Sequence, residues 1–588
     1  MHTRTYGWVQ NPSDFSKLKL VVQIFDNTSI HYQNLKSNLV KNYIPFTDIK
    51  KNLLSKLNAG IEEFTYSELV GSSKDINGKS VGSTKTDGSK VKRADAVADG
   101  LIQVTIQPQS ITTKGKYWTD NWTSDGYLRW ALSLNFLKHD RNTDTCTITE
   151  LGNQFSKVVD GSTTEKDILQ DALLAYPPAT QVLSILDNSV APITKFFIGN
   201  RLGFSGEKGF TSYDESLMLD WFRTGDKNEL DKIKSNIEGT SDKYARMICT
   251  WLEKVGFIDR HSNNILTVNS GERAGFQTYS ITGRGKHALK QAHGSSKNSR
   301  IEKYLTWEFL AVEGRNKNYI RSRRAYILKF LQETKSYIKL LEKLKQLGFS
   351  DAPQVIENDI AGLNTFGIRI EKIGNTVTLK DRIFDFSIPQ LNLTQELKDA
   401  ALEEKKLKYQ QLTKLPIKYI ELLEIAYDGR RNRDFEILVA DIFKNLYKFH
   451  SILLGGGRKP DGLIFTDKFG VIIDTKAYGE GYGKLITQED EMVRYIEDNQ
   501  QRDKNRNSIT WWEKFNDAIP ANSYYFMWVS SNFTGNFQEQ LNSTSNRTGV
   551  KGAALNVEQL LLGAANAQQG ILDISTFPSY MNNKEIIW

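Results

Sequence analysis

The run RKPDGLIFTDKFGVIIDTKAY at 458–478 holds two aspartates and a lysine at a spacing that suits phosphodiester hydrolysis. Two β-rich stretches, Leu463–Thr466 and Val471–Thr475, flank a polar turn expected at Asp467–Gly470, which predicts a hairpin. Side chains alternate along a strand, so Ile472, Asp474 and Lys476 share one face. With that turn, Asp461 lies opposite Lys476 and diagonal to Asp474. Two carboxylates beside one ammonium repel each other and do nothing for stability. A divalent cation would resolve the conflict, and Mg²⁺ suits it, taking one or two carboxylates and leaving other positions to water and phosphate. Such an ion lowers the pKa of an attacking water and offsets charge growing on the phosphorus. Lys476 would orient the water or stabilise that charge. Its ordinary pKa makes it a base only if strongly shifted. The alternative is a surface salt bridge, which the spacing and shared face disfavour.

Glu436, on the helical run DFEILVADIFKNLYKF, is a further candidate acid, and a solvated helix face accounts for it equally well. The Gly-Gly-Gly at 455–457 lacks the Gly-Lys-Ser/Thr ending of a nucleotide loop and reads as a hinge.

The elements that must bring such a site to a substrate are visible as a repeat. Residues 123–137 read TSDGYLRWALSLNFL and 240–255 read TSDKYARMICTWLEKV, each opening on a helix-capping Thr-Ser-Asp. In the second, Ala245, Ile248, Leu252 and Val255 form a buried stripe, with Lys243 and Arg246 on another face. Strand, turn and strand follow each helix: KHDRNTDTCTITELG in the first copy and GFIDRHSNNILTVNSG in the second. A weaker third copy, NDIAGLNTFGIRIEKIGNTVTLKD, follows helical sequence at 318–346. Helix, helix and hairpin make a winged helix, whose second helix can enter the major groove. Winged helices also serve as protein-binding modules. Corresponding places for Arg129 and Arg246 favour DNA reading in the first two copies, and the third reads as a spacer or docking module. The Gly-, Ser- and Lys-rich stretch 71–92 reads as a mobile loop whose lysines could follow phosphates. A linker is placed at 384–395, before the charged helical run ELKDAALEEKKLKYQQL.

At 588 residues the chain exceeds one hydrophobic core, and several domains are expected. Lys and Arg total 77 against 69 Asp and Glu, and the resulting +8 agrees with a polyanionic partner without requiring one. Hydrophobic content of 39% and a mean hydropathy of −0.46 describe a soluble globular protein, with neither a spanning segment nor a signal peptide in view. Two cysteines, Cys146 and Cys249, fit a reducing compartment and exclude a Cys-rich zinc site. A cytoplasmic protein is expected. Three readings compete with a site-specific nuclease: a nicking or structure-specific nuclease, a non-catalytic DNA-binding regulator, and a structural protein that ignores DNA.

Longer words favour the nuclease: YGWVQNP at 6–12, YSELVG at 66–71, DNWTSDGYLRWA at 120–131, GFSGEKGFTS at 203–212, EGTSDKYARM at 238–247, GGRKPDG at 456–462 and IDTKAYGEGY at 473–482. In order and spacing they resemble the FokI-type type IIS restriction endonucleases over essentially the whole chain. The resemblance implies a multidomain α+β and α/β protein: three winged-helix-like DNA-recognition subdomains followed by a PD-(D/E)xK nuclease domain. The expected divisions are 1–152, 153–297, 298–383, the 384–395 linker and 396–588. Catalytic roles carry to Asp461, Asp474 and Lys476, with Mg²⁺ on the two aspartates. Base-reading roles carry to Gln10, Asn11, Arg93 and Trp122 in the first subdomain, and to Glu238, Lys243 and Arg246 in the second. Ser235 and Ile237 stand where the family has Asn and Trp, and an insertion lengthens the loop before Arg93. The resemblance implies the target GGATG, cleavage outside it, and a cognate DNA methyltransferase in the same system.

The stretch ITQEDEMVRYIEDNQQRD at 486–503 reads as an exposed polar helix with few apolar anchors. Spacing alone makes Asp490 and Arg494 an intrahelical ion pair. The resemblance instead makes them the surface of a transient homodimer, each Asp meeting the other copy's Arg.

Overall fold

The computed structural model describes residues 12–106, 110–111, 117–118, 121–204, 207, 212, 214–218, 241–267, 273–295, 300–311, 316–390, 400–455, 457–483 and 485–588. Gln10, Asn11, Ser235, Ile237 and Glu238 lie outside the described residues, as do 391–395 of the expected linker.

The three repeats are winged helices, and the fold is a mixed, multidomain one of helices and small sheets. In the first, helix α1 (Asn121–Ser133) precedes strands β1 (Leu137–Asp140) and β2 (Thr145–Ile148). In the second, α2 (Ser241–Lys254) precedes β3 (Ile258–Thr267) and β4 (Arg273–Ile281). The third comprises α3 (Lys317–Glu333), α4 (Tyr337–Gln346), α5 (Pro353–Phe366), β5 (Ile370–Ile373) and β6 (Thr376–Leu379).

One device closes the first two wings. Thr149 donates through its hydroxyl to the Phe136 carbonyl and Thr282 does the same to Phe257, each capping the next helix. Three residues on, Gly152 and Gly285 lie against those same carbonyls, where a Cβ would not fit. The sequences Ile-Thr-x-x-Gly at 148–152 and 281–285 are therefore one structural unit used twice. The equivalent helices meet through Trp130 and Trp251, stacked with centroids 4.9 Å apart. All three modules share one hydrophobic cluster running from Leu18 to Ile383.

In the winged-helix part of the chain, four expectations change. Thr123–Asp125 lies inside α1, which begins at Asn121, and is not its cap. The second wing is longer than expected: Ser262 and Asn263 mark a bulge within β3, not a turn, because the strand continues to Thr267 opposite Arg273. The 71–92 stretch is a hydrogen-bonded chain of small turns. Lys74 and Asp75 pair with Val97 and Ala96, Thr84 bridges Lys90, and Lys85 reaches Asp95 at 2.8 Å. Its glycines at 78, 82 and 88 supply the positive φ that these turns need. The fourth change, at Arg129, belongs with the site below.

After the described part of the linker, α6 (Ala400–Thr413) leads into the C-terminal domain. Helix α7 (Asn432–Asn445) precedes β7 (His450–Leu453), β8 (Gly462–Phe465) and β9 (Gly470–Lys476). Helix α8 (Ile486–Gln501), β10 (Tyr524–Ser530), α9 (Phe537–Thr548), β11 (Gly552–Asn556) and β12 (Lys584–Glu585) follow. The strands form one six-stranded sheet in sequence order, antiparallel from β7 to β9 and parallel from β9 to β12. Alternation divides its side chains between two cores. Ile464, Val471, Ile473, Met527 and Val529 pack with Phe435, Val439 and Ile442 of α7. Leu463, Ile472, Phe526 and Trp528 pack with Met492, Tyr495 and Ile496 of α8. Those last three anchor α8 firmly, contrary to the expectation of few apolar anchors. Among the described residues, no helix is long and apolar enough to cross a membrane.

Candidate nuclease site and DNA-reading surface

The hairpin that carries the acidic residues forms two residues out of the expected register. Leu463 pairs with Ile472 and Phe465 with Gly470, so the connection is Thr466–Phe469, closed by the Thr466 amide on the Phe469 carbonyl at 3.0 Å. An even slip preserves which residues share a face and changes which ones meet. Extending the ladder by one position puts Asp461 across from Asp474, not Lys476. Asp461 precedes β8, so strand alternation does not bind it. Its Oδ2 accepts from the Thr475 amide at 2.7 Å and from the Thr475 hydroxyl at 2.9 Å.

Lys476 lies two residues beyond Asp474 on the same face and donates to its Oδ1 at 3.0 Å, with Oδ2 2.8 Å away. Asp474 is buried, and its Oδ2 makes no aligned hydrogen bond. Burial, and then the facing Asp461 carboxylate, push the Asp474 acid up to about 8 against the pull of Lys476. Burial opposes the charge on Lys476, but the Asp474 and Asp461 carboxylates hold its pKa above the ordinary lysine range.

Glu436 comes to the same place from α7. It shares a shallow cleft with Asp461, Thr475 and Ile473, and is not on a solvated helix face. Burial and the Asp461 charge push it up to about 7, and Arg433, one turn earlier on the helix, donates to it. Arg433 was not singled out in the sequence. Its signal was its position three residues before an acid on a helix. The Arg433 guanidinium also fills the space where a Cβ on Gly455 would sit, and Gly455 holds a φ of +47°. At Gly455 the Gly-Gly-Gly run therefore provides a close approach to Arg433.

Among the described residues, no group of three or more His, Cys, Asp or Glu is arranged to hold a metal by itself. The carboxylates do suit a hard divalent cation that keeps water and phosphate ligands. Asp474 Oδ2 makes no aligned hydrogen bond, and three carboxylates, Asp461, Asp474 and Glu436, share two cations, Lys476 and Arg433.

On the N-terminal side, Arg93 is exposed on the turn Arg93–Asp95, and Trp122 is 40% exposed in the first turn of α1. The stripe of Ala245, Ile248 and Leu252 on α2, continued by Val255 just beyond its end, is buried as expected, and Lys243 and Arg246 are half-buried away from it. Arg129 corrects the analogy between the copies. It is 4% exposed, and its Nε pairs with Asp125 at 2.9 Å, an acid that Tyr66 also bonds. The same place in the repeat thus leaves Arg246 half-buried and Arg129 buried on an ion pair with Asp125.

On α8, Asp490 is exposed and pairs with Arg547 of α9 at 2.8 Å. Arg494 is half-buried, its guanidinium lying over the Tyr495 ring at 5.4 Å.

Family models match the chain nearly end to end. The FokI recognition domain, subdomain 1, matches residues 4–158; subdomain 2 matches 165–297; the FokI D3 domain matches 310–375; and the FokI cleavage domain matches 398–587. The chain is 39% identical to the type II restriction enzyme FokI of Planomicrobium okeanokoites, over 99% of both chains. It is 32% identical to the type II restriction enzyme StsI of Streptococcus sanguinis, over 82% of this chain and 81% of that one. The solved structure of restriction endonuclease FokI bound to DNA superposes over 100% of both chains with a TM-score of 0.87 at 38% identity. A second structure of restriction endonuclease FokI superposes over 100% of both chains with a TM-score of 0.86 at 38% identity.

Proposed function

This chain belongs to the FokI family of type II restriction endonucleases, and we propose that it acts as a type IIS enzyme. It binds a short asymmetric duplex site, GGATG by the resemblance, through its first two winged helices, and cuts both strands outside that site with its C-terminal domain. The reading divides the chain at 1–152, 153–297, 298–383, 384–395 and 396–588. The observation that carries it is the convergence of Asp461, Asp474, Lys476 and Glu436 at one end of a sheet whose cores are separate from that of the winged helices.

Asp461 and Asp474 would hold Mg²⁺, with Glu436 beside them. When bound, the ion supplies an acidified water and neutralises charge on the phosphate. Thr475 orients Asp461, and Lys476 neutralises Asp474 while its ammonium stays within reach of a phosphate oxygen or the attacking water. Lys243, Arg246 and Arg93 have the chemistry to meet guanine O6 and N7, Gln10 and Asn11 to meet adenine, and Glu238 to accept from cytosine N4. Trp122 offers an exposed apolar face to the groove. The partners are duplex DNA, a second copy of the chain and, functionally, a methyltransferase protecting host sites in the cytoplasm.

The test separates cutting from reading. Asp461→Ala, Asp474→Ala and Lys476→Ala lower cleavage by orders of magnitude and leave site-specific binding nearly intact, measured by plasmid cleavage and by gel shift on the same duplex. Binding lost in step with cleavage rejects the assignment. Nicks without double-strand breaks in the unaltered enzyme would point to the nicking alternative.

A further inference from the structure

Helix α8 and the loop that delivers Asp461 are joined by a side chain with no role in the nuclease site described so far. That loop leaves β7 and returns to β8 in a narrow circuit. The Leu454 and Gly455 amides both donate to the Asp461 carbonyl, at 2.8 and 3.1 Å, closing its base. At its outer end the Arg458 carbonyl accepts from Asn507 Nδ2 at 2.8 Å. The same amide donates to Asp498 Oδ2 at 2.9 Å, and Asn507 Oδ1 accepts from the Ile509 amide at 3.1 Å. Asp498 lies in the last turn of α8 and also takes Arg506 Nε at 2.8 Å. Asn507 and Asp498 are both buried, so each of these bonds would be costly to lose. Glycines at 455 and 457 adopt positive φ, Leu454 and Lys459 anchor the loop by burial, and Asn507 holds its backbone between them at Arg458.

We propose that Asn507 is a positioning residue for the nuclease site, a strut that makes the Asp461 loop and the C-terminal end of α8 move as one body. This rests on reading Asp461 as a nuclease carboxylate. Helix α8 also carries the exposed Asp490 and the half-buried Arg494, so a partner docked there would bear on an element fastened to the cutting residue.

The experiment uses the full-length protein and compares Asn507→Ala and Asp498→Asn with Asp474→Asn. Asp498→Asn keeps the shape and an acceptor, and so it stays informative where the alanine variant folds poorly. In Asn507→Ala the single-turnover cleavage rate on pre-bound DNA falls about 10- to 100-fold, the scale of a slightly misplaced catalytic group. Mg²⁺ titrated calorimetrically onto the free enzyme binds more weakly, and DNA affinity without metal stays within about twofold, as expected when no base or phosphate contact is lost. Asp498→Asn gives a smaller loss of the same kind. The proposal is overturned if the rate constant and the Mg²⁺ isotherm are unchanged. It is also overturned if only the fraction of active enzyme drops, since that marks a merely structural role. Cleavage by Asp474→Asn would overturn the nuclease-site reading itself, whatever Asn507 does.

Discussion

The Asp490 carboxylate is held at 2.8 Å by Arg547 from the neighbouring helix, and not by Arg494 four residues along its own. Both members of that pair are substantially exposed, and an exposed pair contributes about 0–1 kcal/mol. A second copy of the chain docked at this helix, as proposed above, would meet an acid that is weakly engaged and readily shared. Arg494→Asp is expected to block double-strand cleavage while leaving DNA binding unchanged, and Asp490→Arg supplied in trans to restore part of it. Cleavage rate at sub-saturating enzyme should rise faster than first order. First-order dependence together with full activity in Arg494→Asp would show that a monomer cuts both strands.

Two arginines at corresponding places in the repeat should fail in opposite ways. Arg246→Ala leaves the fold intact, costs about 1–3 kcal/mol at one base pair and relaxes preference there. Arg129→Ala strands the buried Asp125 and lowers stability by about 3–5 kcal/mol. Thermal melting and binding to a panel of single-base variants separate the two. Equal weakening on cognate and random duplex by Arg246→Ala would make it a phosphate contact.

Stability should climb with pH above neutrality because of Lys303. Its ammonium is buried against the Leu174 carbonyl and the Thr180 hydroxyl, at 2.9 and 2.8 Å. Burial lowers its pKa from 10.5 to about 7, only partly opposed by Asp381, with Arg369 adding to the fall. Between those two values the unfolded chain holds more protons than the folded one, so stability rises through that window and is flat below it. Other buried groups titrate in the same range, so the measure is the melting temperature of the unaltered protein relative to Lys303→Met, which should climb as pH rises from about 7 to 10.5. An identical climb in the variant would assign the effect to another group.

The C-terminal domain should fold and cut alone. Its cores involve residues from Leu415 to Ile586 and are separate from the cluster that ends at Ile383. Contacts between the halves include polar ones, such as Asn358 with Gln410 at 3.0 Å and Asn445 with Asp214 at 3.4 Å. Residues from 396 onward, expressed by themselves, are expected to melt cooperatively and to nick or cut duplex DNA with little sequence preference. Cleavage confined to the native site would move the recognition boundary.

What the sequence determined here rests on local geometry. The period-2 alternation of β9 placed Ile472, Asp474 and Lys476 on one face whatever the rest of the chain did. The 3.6-residue period of α2 likewise buried Ala245, Ile248 and Leu252 and kept Lys243 and Arg246 off that stripe. Long words in fixed order carried the family, because a matching arrangement of that length does not arise by chance. The tertiary structure decided whatever depends on a partner distant in the chain. Loop closure at Thr466 and Phe469 set the register and brought Asp461 across from Asp474. Tyr66 and Asp125 turned Arg129 inward, Arg547 claimed Asp490, and Asn507 fastened Arg458 to Asp498. A side chain's periodicity says which way it points, but only packing supplies what it meets, and the energy of a buried charge or hydrogen bond lies in that meeting.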